Sequence, residues 1–177
     1  VYYAANTCGD PKGARRARLS LDREKEINTI SEHRIIGVTV ETRPDCINPR
    51  ELVDFRRWGV TRVQLGVQHT DDRILARVNR GHGLRHTEEA MKLLRDNCFK
   101  VDIHLMPNLP GATPEADKAM FDYVLNFLHP DQVKIYPCTT MPFTKILEEG
   151  DPSVRNIVLH AVSETGAAAV PFLLEAL

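Results

Sequence analysis

The sequence lacks the cysteine pairs that mark zinc and iron–sulfur sites. Its four cysteines are spread over 177 residues, and none lies within three residues of another. They therefore form no CxxC half-site and no cluster-binding run. These cysteines are Cys8, Cys46, Cys98 and Cys138. Because thiols stay reduced inside cells, we expect four free cysteines and no metal site built by this chain.

Long apolar runs and an excess of one charge are also missing. Runs such as residues 167–174 fall far short of the ~20 residues that a membrane-spanning helix needs. Lys and Arg number 23 against 24 Asp and Glu, a net charge of -1, so no global basic field indicates nucleic-acid binding. With no signal-like segment, we predict a cytoplasmic chain without a membrane partner. It begins at Val1 rather than Met, which points to a fragment or a processed product.

Short β-rich runs alternate with longer helical patterns along the chain. Strands are predicted at residues 35–41, 62–67, 100–105 and 131–136. Helices are predicted at residues 21–30, 48–58, 71–78, 86–97 and 113–128, with Ser20, Asn48 and Thr113 as N-caps. Spacings of about 25 to 40 residues between strand centres are typical of βα units with a parallel sheet. The fold class is therefore α/β.

Two segments stand apart from this alternation. Residues 151–177 read as a helical hairpin like one HEAT-type repeat, of uncertain attachment, so we divide the chain into domains 1–150 and 151–177. Near the other end, Lys12, Arg15, Arg16 and Arg18 form a small basic loop. That loop is either simply solvated or a contact for an RNA backbone.

Each predicted strand has one apolar and one polar face, because side chains alternate along a strand. The polar positions are Glu41, Arg62, Gln64, Gln68, Asp102, His104, Lys134 and Tyr136. An open sheet solvated on one side would explain them, but such sheets are usually antiparallel. A curved, barrel-like sheet around a polar ligand explains them better, since burying these groups without partners costs several kcal/mol each. We therefore expect a ligand site at the carboxyl ends of the strands.

The candidate residues at those strand ends allow more than one role. Glu41 and Arg43 either pair with each other or recognise a polar ligand. Gln68 suits a ribose or a carboxylate, because its amide both donates and accepts hydrogen bonds. Arg80, next to His82 in a glycine-containing loop, is either a surface arginine or a clamp for a carboxylate or phosphate.

The remaining candidates lie on the last two strands. His104 is either a satisfied interior histidine or a group that contacts a ligand or handles a proton. Lys134 and Tyr136 share a face and would hold an anionic substrate or form internal hydrogen bonds. Composition and spacing alone predict a partial α/β barrel with a polar interior and nothing more specific.

Five motifs, in this order, resemble the radical S-adenosylmethionine (SAM) domain of the Elongator catalytic subunit family. They are VETRPD (40–45), TRVQLGVQ (61–68), NRGH (79–82), VDIHLMPNLPG (101–111) and KIYP (134–137). The resemblance runs from about Tyr2 to Gly150. It implies a partial TIM-like (β/α) barrel in which the four strands are the third to sixth of a radical SAM core.

The resemblance also implies a function. Members of the family are expected to acetylate or carboxymethylate C5 of the wobble uridine of tRNA, using SAM, a 4Fe–4S cluster and acetyl-CoA. Glu41, Gln68, Arg80 and His104 match positions that contact SAM. Lys134 and Tyr136 would be catalytic, and Arg43 and His82 would bind substrate. The expected partners are tRNA, acetyl-CoA and, in a eukaryote, other Elongator subunits.

The chain also departs from the family pattern. The three cluster cysteines, the glycine-rich segment that follows the second strand and the acetyltransferase domain are all missing. His69 stands where Ser is expected, and Asn108 where Asp is expected. We therefore predict that this chain alone is inactive. The alternatives are a cluster-free binding or scaffold module and another radical SAM enzyme, such as a coproporphyrinogen-oxidase relative.

Overall fold

A single parallel sheet forms the centre of the molecule. The computed structural model describes residues 1–8, 16–136 and 138. Within them, the sheet follows chain order, and each strand pairs in parallel with the next. The strands are β1 (Val38–Thr42), β2 (Val60–Gln68), β3 (Lys100–Leu105) and β4 (Gln132–Ile135). The predicted parallel α/β sheet is confirmed, although the first strand begins at Val38 rather than at residue 35.

Helices connect the strands. They are α1 (Tyr2–Asn6), α2 (Leu21–Asn28), α3 (Pro49–Trp58), α4 (Asp72–Arg77), α5 (Leu84–Asp96) and α6 (Pro114–Tyr123). The sequence did not predict α1. A 3₁₀ turn follows β1 at Pro44–Cys46. The helix expected to reach residue 128 changes to a π-helical turn over Val124–Leu128, which ends at His129 in the left-handed conformation.

The helix ends follow their local sequence. The Asn48 side chain accepts hydrogen bonds from the backbone N–H groups of Arg50 and Glu51, and Pro49 occupies the first helical position of α3. Gly59 ends α3 with φ 80°, a conformation that glycine adopts at little cost. Ser20 and Thr113 cap α2 and α6 in the same way as Asn48 caps α3. All three predicted N-caps are therefore confirmed.

The apolar face of the sheet packs against α3, α5 and α6. Val63, Leu65, Val101, Ile103 and Leu105 from the strands are fully buried. The helices contribute Leu52, Phe55, Met91, Leu94, Met120 and Phe121 to the same cluster. Full burial of one such side chain is worth about 1.5–3 kcal/mol. The core therefore lies on one side of the sheet and leaves the opposite, polar face to the site.

The amino-terminal helices are held together by Glu24, which is buried. Its carboxylate accepts hydrogen bonds from both Nη atoms of Arg16 at 2.6 Å and from the Asn6 amide at 2.9 Å. The Arg16 hydrogen bonds are the main reason that the pKa of Glu24 falls to about 2. Arg16, whose side chain is 36% exposed, is thus paired with Glu24, and Lys12 and Arg15 lie outside the described residues.

The predicted boundary at residue 150 and the helical tail at 151–177 also lie outside the described residues. Among the helices that the structure describes, none has both the length and the apolar character to cross a membrane.

Candidate functional site

The polar face of the sheet has two levels. At the level nearer the amino ends of the strands, Asp102 is fully buried. Its carboxylate accepts hydrogen bonds from Arg62 Nη1 at 2.5 Å and from Gln64 Nε2 at 3.3 Å. A buried carboxylate with two such donors has its hydrogen-bonding needs met. This level is therefore structural.

At the level nearer the carboxyl ends, Glu41 and His104 meet across β2. Glu41 Oε1 lies 3.3 Å from His104 Nδ1, although their strands are not neighbours in the sheet. Burial is the main cause of a lowered pKa for His104; Glu41 acts against this shift and Lys134 adds to it. His104 is therefore neutral at pH 7. The Glu41 side chain is 63% exposed, so its carboxylate is open to solvent on this face.

The other ring nitrogen of His104 lacks a partner in the part of the chain that the structure describes. Nε2 is buried and makes no hydrogen bond to any described residue. The Tyr136 and His104 rings pack in an edge-type arrangement with 5.3 Å between centroids, and Lys134 is the register partner of His104 on β4. Leaving a buried polar atom unpaired costs ~1–3 kcal/mol. A polar ligand on this face would remove that cost.

Arg80 lies against β2 rather than on the surface. Its Nη2 donates to the Gly66 carbonyl at 2.8 Å, and its Nε donates to His82 Nε2 at 3.1 Å. A Cβ at Gly66 would lie 2.5 Å from Arg80 Nη2, so the guanidinium needs a glycine there. Burial, followed by the charge of Arg43, lowers the pKa of Arg80. The guanidinium has five N–H donors, so it keeps donors for a ligand.

His82 is buried behind Arg80. Burial is the main cause of its lowered pKa, and the charge of Arg80 adds to it. Its Nδ1 is a second buried ring nitrogen that makes no hydrogen bond within residues 1–8, 16–136 and 138. His82 therefore belongs to the site because it accepts a hydrogen bond from Arg80.

Arg43 pairs with Asp45, not with Glu41 as one of the two interpretations proposed. Arg43 Nε donates to Asp45 Oδ1 at 3.0 Å, and Arg43 Nη2 binds the second carboxylate oxygen. The hydrogen bond from Arg43 is the main cause of the lowered pKa of Asp45. The Arg43 side chain is 48% exposed, so the paired guanidinium lies at the rim of the polar face.

Two of the predicted residues present unused polar groups. Within the described part of the chain, neither the Gln68 amide nor the Lys134 ammonium has a hydrogen bond or an ion pair. Both side chains are half-buried. The upper level of the polar face therefore presents an amide and an ammonium, with the Arg80 guanidinium over Gly66 and the Nε2 atom of His104 buried beneath the surface.

Sequence reasoning missed three residues here. Gly66 leaves room for the Arg80 guanidinium. A glycine inside a predicted strand indicates that another group approaches the backbone closely. His69 is fully buried, with Nε2 3.2 Å from Asp117 Oδ1. No local sequence pattern predicts that His69 contacts Asp117, because His69 follows β2 and Asp117 lies in α6.

Comparison with known proteins identifies the family. The sequence profile of the radical SAM superfamily matches residues 12–124, which is more than half of the chain. The chain belongs to the radical SAM superfamily.

Two relatives carry the names that the motifs suggested. The tRNA uridine(34) acetyltransferase of Methanocaldococcus infernus is 40% identical over 144 residues, covering 80% of this chain and 27% of that protein. The Elongator complex protein 3 of Danio rerio is 37% identical over 120 residues, covering 67% of this chain and 22% of that protein. The resemblance to the Elongator catalytic subunits is confirmed. The chain spans about a quarter of the length of these relatives.

A solved structure confirms the fold class. The archaeal Elp3 of Methanocaldococcus infernus, with its N-terminus deleted, superposes with a TM-score of 0.74 at 38% sequence identity. The match covers 83% of this chain and 33% of that chain. The predicted partial radical SAM barrel is therefore shown by the sheet and by this neighbour together.

Membership of this superfamily implies SAM and a 4Fe–4S cluster, and the residues present fit them unequally. Cys8, Cys46 and Cys98 are exposed and Cys138 is buried. Within the described ranges, no group of three or more candidate ligands comes together. The described residues therefore do not fit the cluster. They do fit SAM, because the unpaired Nε2 of His104 and the free amide of Gln68 suit a molecule with hydroxyl and charged groups.

Proposed function

We propose that this chain forms a SAM-binding wall of a radical SAM enzyme that modifies C5 of the wobble uridine of tRNA. The observation that carries the proposal is the buried Nε2 of His104, which has no hydrogen-bond partner among the described residues and lies on a face with further polar groups. Similarity to the acetyltransferases and to Elongator complex protein 3 supports the choice of reaction. SAM supplies, when bound, the radical chemistry that gives the superfamily its name.

The four proposed SAM contacts divide by charge. Arg80 suits the carboxylate of SAM, because a guanidinium binds two oxygens at once. Glu41 suits the ammonium group or the ribose hydroxyls, and Gln68 and His104 suit the hydroxyls. His104 is neutral at pH 7, so one ring nitrogen can donate a hydrogen bond while the other accepts one.

The remaining residues are proposed to face the substrate. Lys134 and Tyr136 lie beside His104, where an ammonium and a phenol would orient an anionic group. Arg43 lies at the rim and would meet the substrate there while paired with Asp45. His82 would act through Arg80, because its ring is buried behind the guanidinium.

Partners and location belong to the same proposal. We propose tRNA and acetyl-CoA as substrates, a cytoplasmic location and, in a eukaryote, other Elongator subunits as partners. We also propose that the 4Fe–4S cluster needs ligands from outside these 177 residues, because the four cysteines lie far apart. The chain by itself is then inactive.

Calorimetry with SAM and with S-adenosylhomocysteine tests the binding wall. We expect both compounds to bind the chain. His104→Phe or Arg80→Ala should weaken the affinity for each compound by about tenfold, which corresponds to the loss of one charged or buried hydrogen bond. Arg85→Ala is the matched control, because Arg85 is an exposed arginine on α5. Equal affinity in His104→Phe and the unaltered chain would contradict the proposal.

Anaerobic reconstitution with iron and sulfide tests the cluster. We expect no stoichiometric charge-transfer absorbance from this chain alone, and its appearance would show that the cysteine argument is wrong. A chain that takes up neither cluster nor SAM would favour the cluster-free scaffold module instead.

A further inference from the structure

β2 ends in a γ-turn centred on Gln68. The N–H of His69 donates to the Val67 carbonyl at 2.9 Å, and φ of Gln68 is 70°. A hydrogen bond between residues i and i+2 around a positive φ defines the rare, strained form of this turn. A non-glycine residue persists in such a conformation only where its surroundings enforce it.

The turn brings the Gln68 amide next to Arg80. A Cβ added to Gly66 would lie 3.1 Å from Gln68 Nε2 and 2.5 Å from Arg80 Nη2. Both groups therefore occupy the same side of β2, over the glycine. The pairing of β2 with β3 shifts between Leu65 and Gln68, at the place where the turn begins.

His69 fixes the far side of the turn. Its ring is fully buried. Nδ1 accepts the backbone N–H of Asp71 at 2.9 Å, so the ring proton lies on Nε2, which donates to Asp117 Oδ1 at 3.2 Å.

Asp117 joins three segments of the chain. It lies in α6 and is buried, and its second oxygen accepts the backbone N–H of Asn108 at 2.8 Å. Asn108 has a positive φ of 61°. Gln68 itself accepts the N–H of Met106 at 2.8 Å through its carbonyl. The segments after β2 and β3 are therefore both tied to α6.

We infer that His69 and Asp117 are positioning residues, which hold the strained γ-turn so that the Gln68 amide stays beside Arg80. Neither touches the ligand face, so both act through Gln68. The inference rests on the proposed function, because it assigns Gln68 a ligand to meet.

Exchange of Gln68 for glycine and for alanine tests the strain. At a positive φ glycine is favoured over alanine, whereas inside a regular strand alanine is favoured. We expect Gln68→Gly to melt at a higher temperature than Gln68→Ala. The matched control is Gln64 on the same strand, where Gln64→Gly melts below Gln64→Ala. A lower midpoint for Gln68→Gly than for Gln68→Ala would overturn the strained turn.

Nuclear magnetic resonance tests the positioning without any ligand. We expect a nuclear Overhauser effect between the Gln68 side-chain amide and the Arg80 guanidinium. It should disappear in His69→Leu, return in part in His69→Gln, and persist in Leu94→Ala, a core variant that is destabilised elsewhere. Persistence in folded His69→Leu would overturn the positioning role.

A double-mutant cycle tests the consequence for binding of S-adenosylhomocysteine. His69→Leu should weaken binding about fivefold when Gln68 is present and have no effect in Gln68→Ala, which is the sign of action through Gln68. An equal loss in both backgrounds would contradict the inference. If the unaltered chain does not bind, the proposed SAM wall is wrong, and the resonance measurement still decides the positioning role.

Discussion

The guanidinium of Arg80 occupies the space that a side chain at Gly66 would fill. Its Nη2 is 2.8 Å from the Gly66 carbonyl oxygen, and a Cβ at position 66 would lie 2.5 Å from that nitrogen. We predict that Gly66→Ala displaces Arg80 and lowers the free energy of unfolding by ~1–2 kcal/mol, the value of a lost buried hydrogen bond. Urea denaturation measures this change.

The control for Gly66→Ala is Arg80→Ala. In that background the 2.5 Å contact with Arg80 is gone and the 3.1 Å contact with the flexible Gln68 amide remains, so Gly66→Ala should cost much less than in the unaltered chain. Full additivity of the two changes would show that Arg80 does not need the glycine.

Stability should fall as the pH drops from about 6.5 towards 5, because burial lowers the pKa of both His82 and His104. As the pH falls, a histidine whose pKa is lowered by folding is protonated in the unfolded chain before it is protonated in the folded chain. The stabilisation is therefore complete above the pKa of the unfolded state and is lost as the pH falls towards the pKa of the folded state. Urea midpoints at pH 7 and pH 5 measure the loss. His104→Gln should flatten the profile, and an unchanged slope would contradict the assignment.

A second acid-sensitive step should follow from Glu24, whose pKa is about 2 in the folded chain. Since its ordinary value is 4.5, the stabilisation is complete above pH 4.5 and disappears as the pH falls towards 2. Glu24→Gln should remove this dependence and loosen α1 and α2 already at pH 7. Hydrogen exchange of the α2 amides reports on it, with Glu26→Gln on the exposed side of α2 as control.

Arg62 should contribute to stability through Asp102. Among the described residues, removing Arg62 leaves the buried carboxylate with Gln64 as its one side-chain donor. We expect Arg62→Ala to lower the free energy of unfolding by ~2–3 kcal/mol, at the low end for a buried pair because Arg62 is partly exposed. The double variant Arg62→Met with Asp102→Leu should recover most of the loss. Chemical denaturation checks both, and a double variant as unstable as Arg62→Ala would argue against the pair.

Much of the fold could be predicted from the sequence, because its signals are local. The alternation that separated Val63 and Leu65 from Gln64 follows from strand geometry, and the ends of α3 follow from Asn48 and Gly59. The polar residues that gather on one face were also predicted, since the strand order of a βα sheet brings their carboxyl ends to one edge.

The details of the site depend on contacts between distant residues and could not be predicted. His69 meets Asp117 at a separation of 48 positions, and no pattern of neighbours encodes that pairing. The basic loop predicts that Arg16 is either solvated or an RNA contact, and no local pattern predicts its pairing with Glu24. The γ-turn at Gln68 opposes the local preference of a non-glycine residue, so only the tertiary structure explains it.

The order of the sheet bears on how this chain assembles. Among the residues that the structure describes, each of the four strands pairs with the next one along the sequence. Closing the loops between these four strands therefore spans one βα unit at a time. During synthesis, when the amino-terminal part emerges first, β1 and β2 can associate before β4 has left the ribosome. Growth of the sheet then proceeds one unit at a time, in the direction of translation.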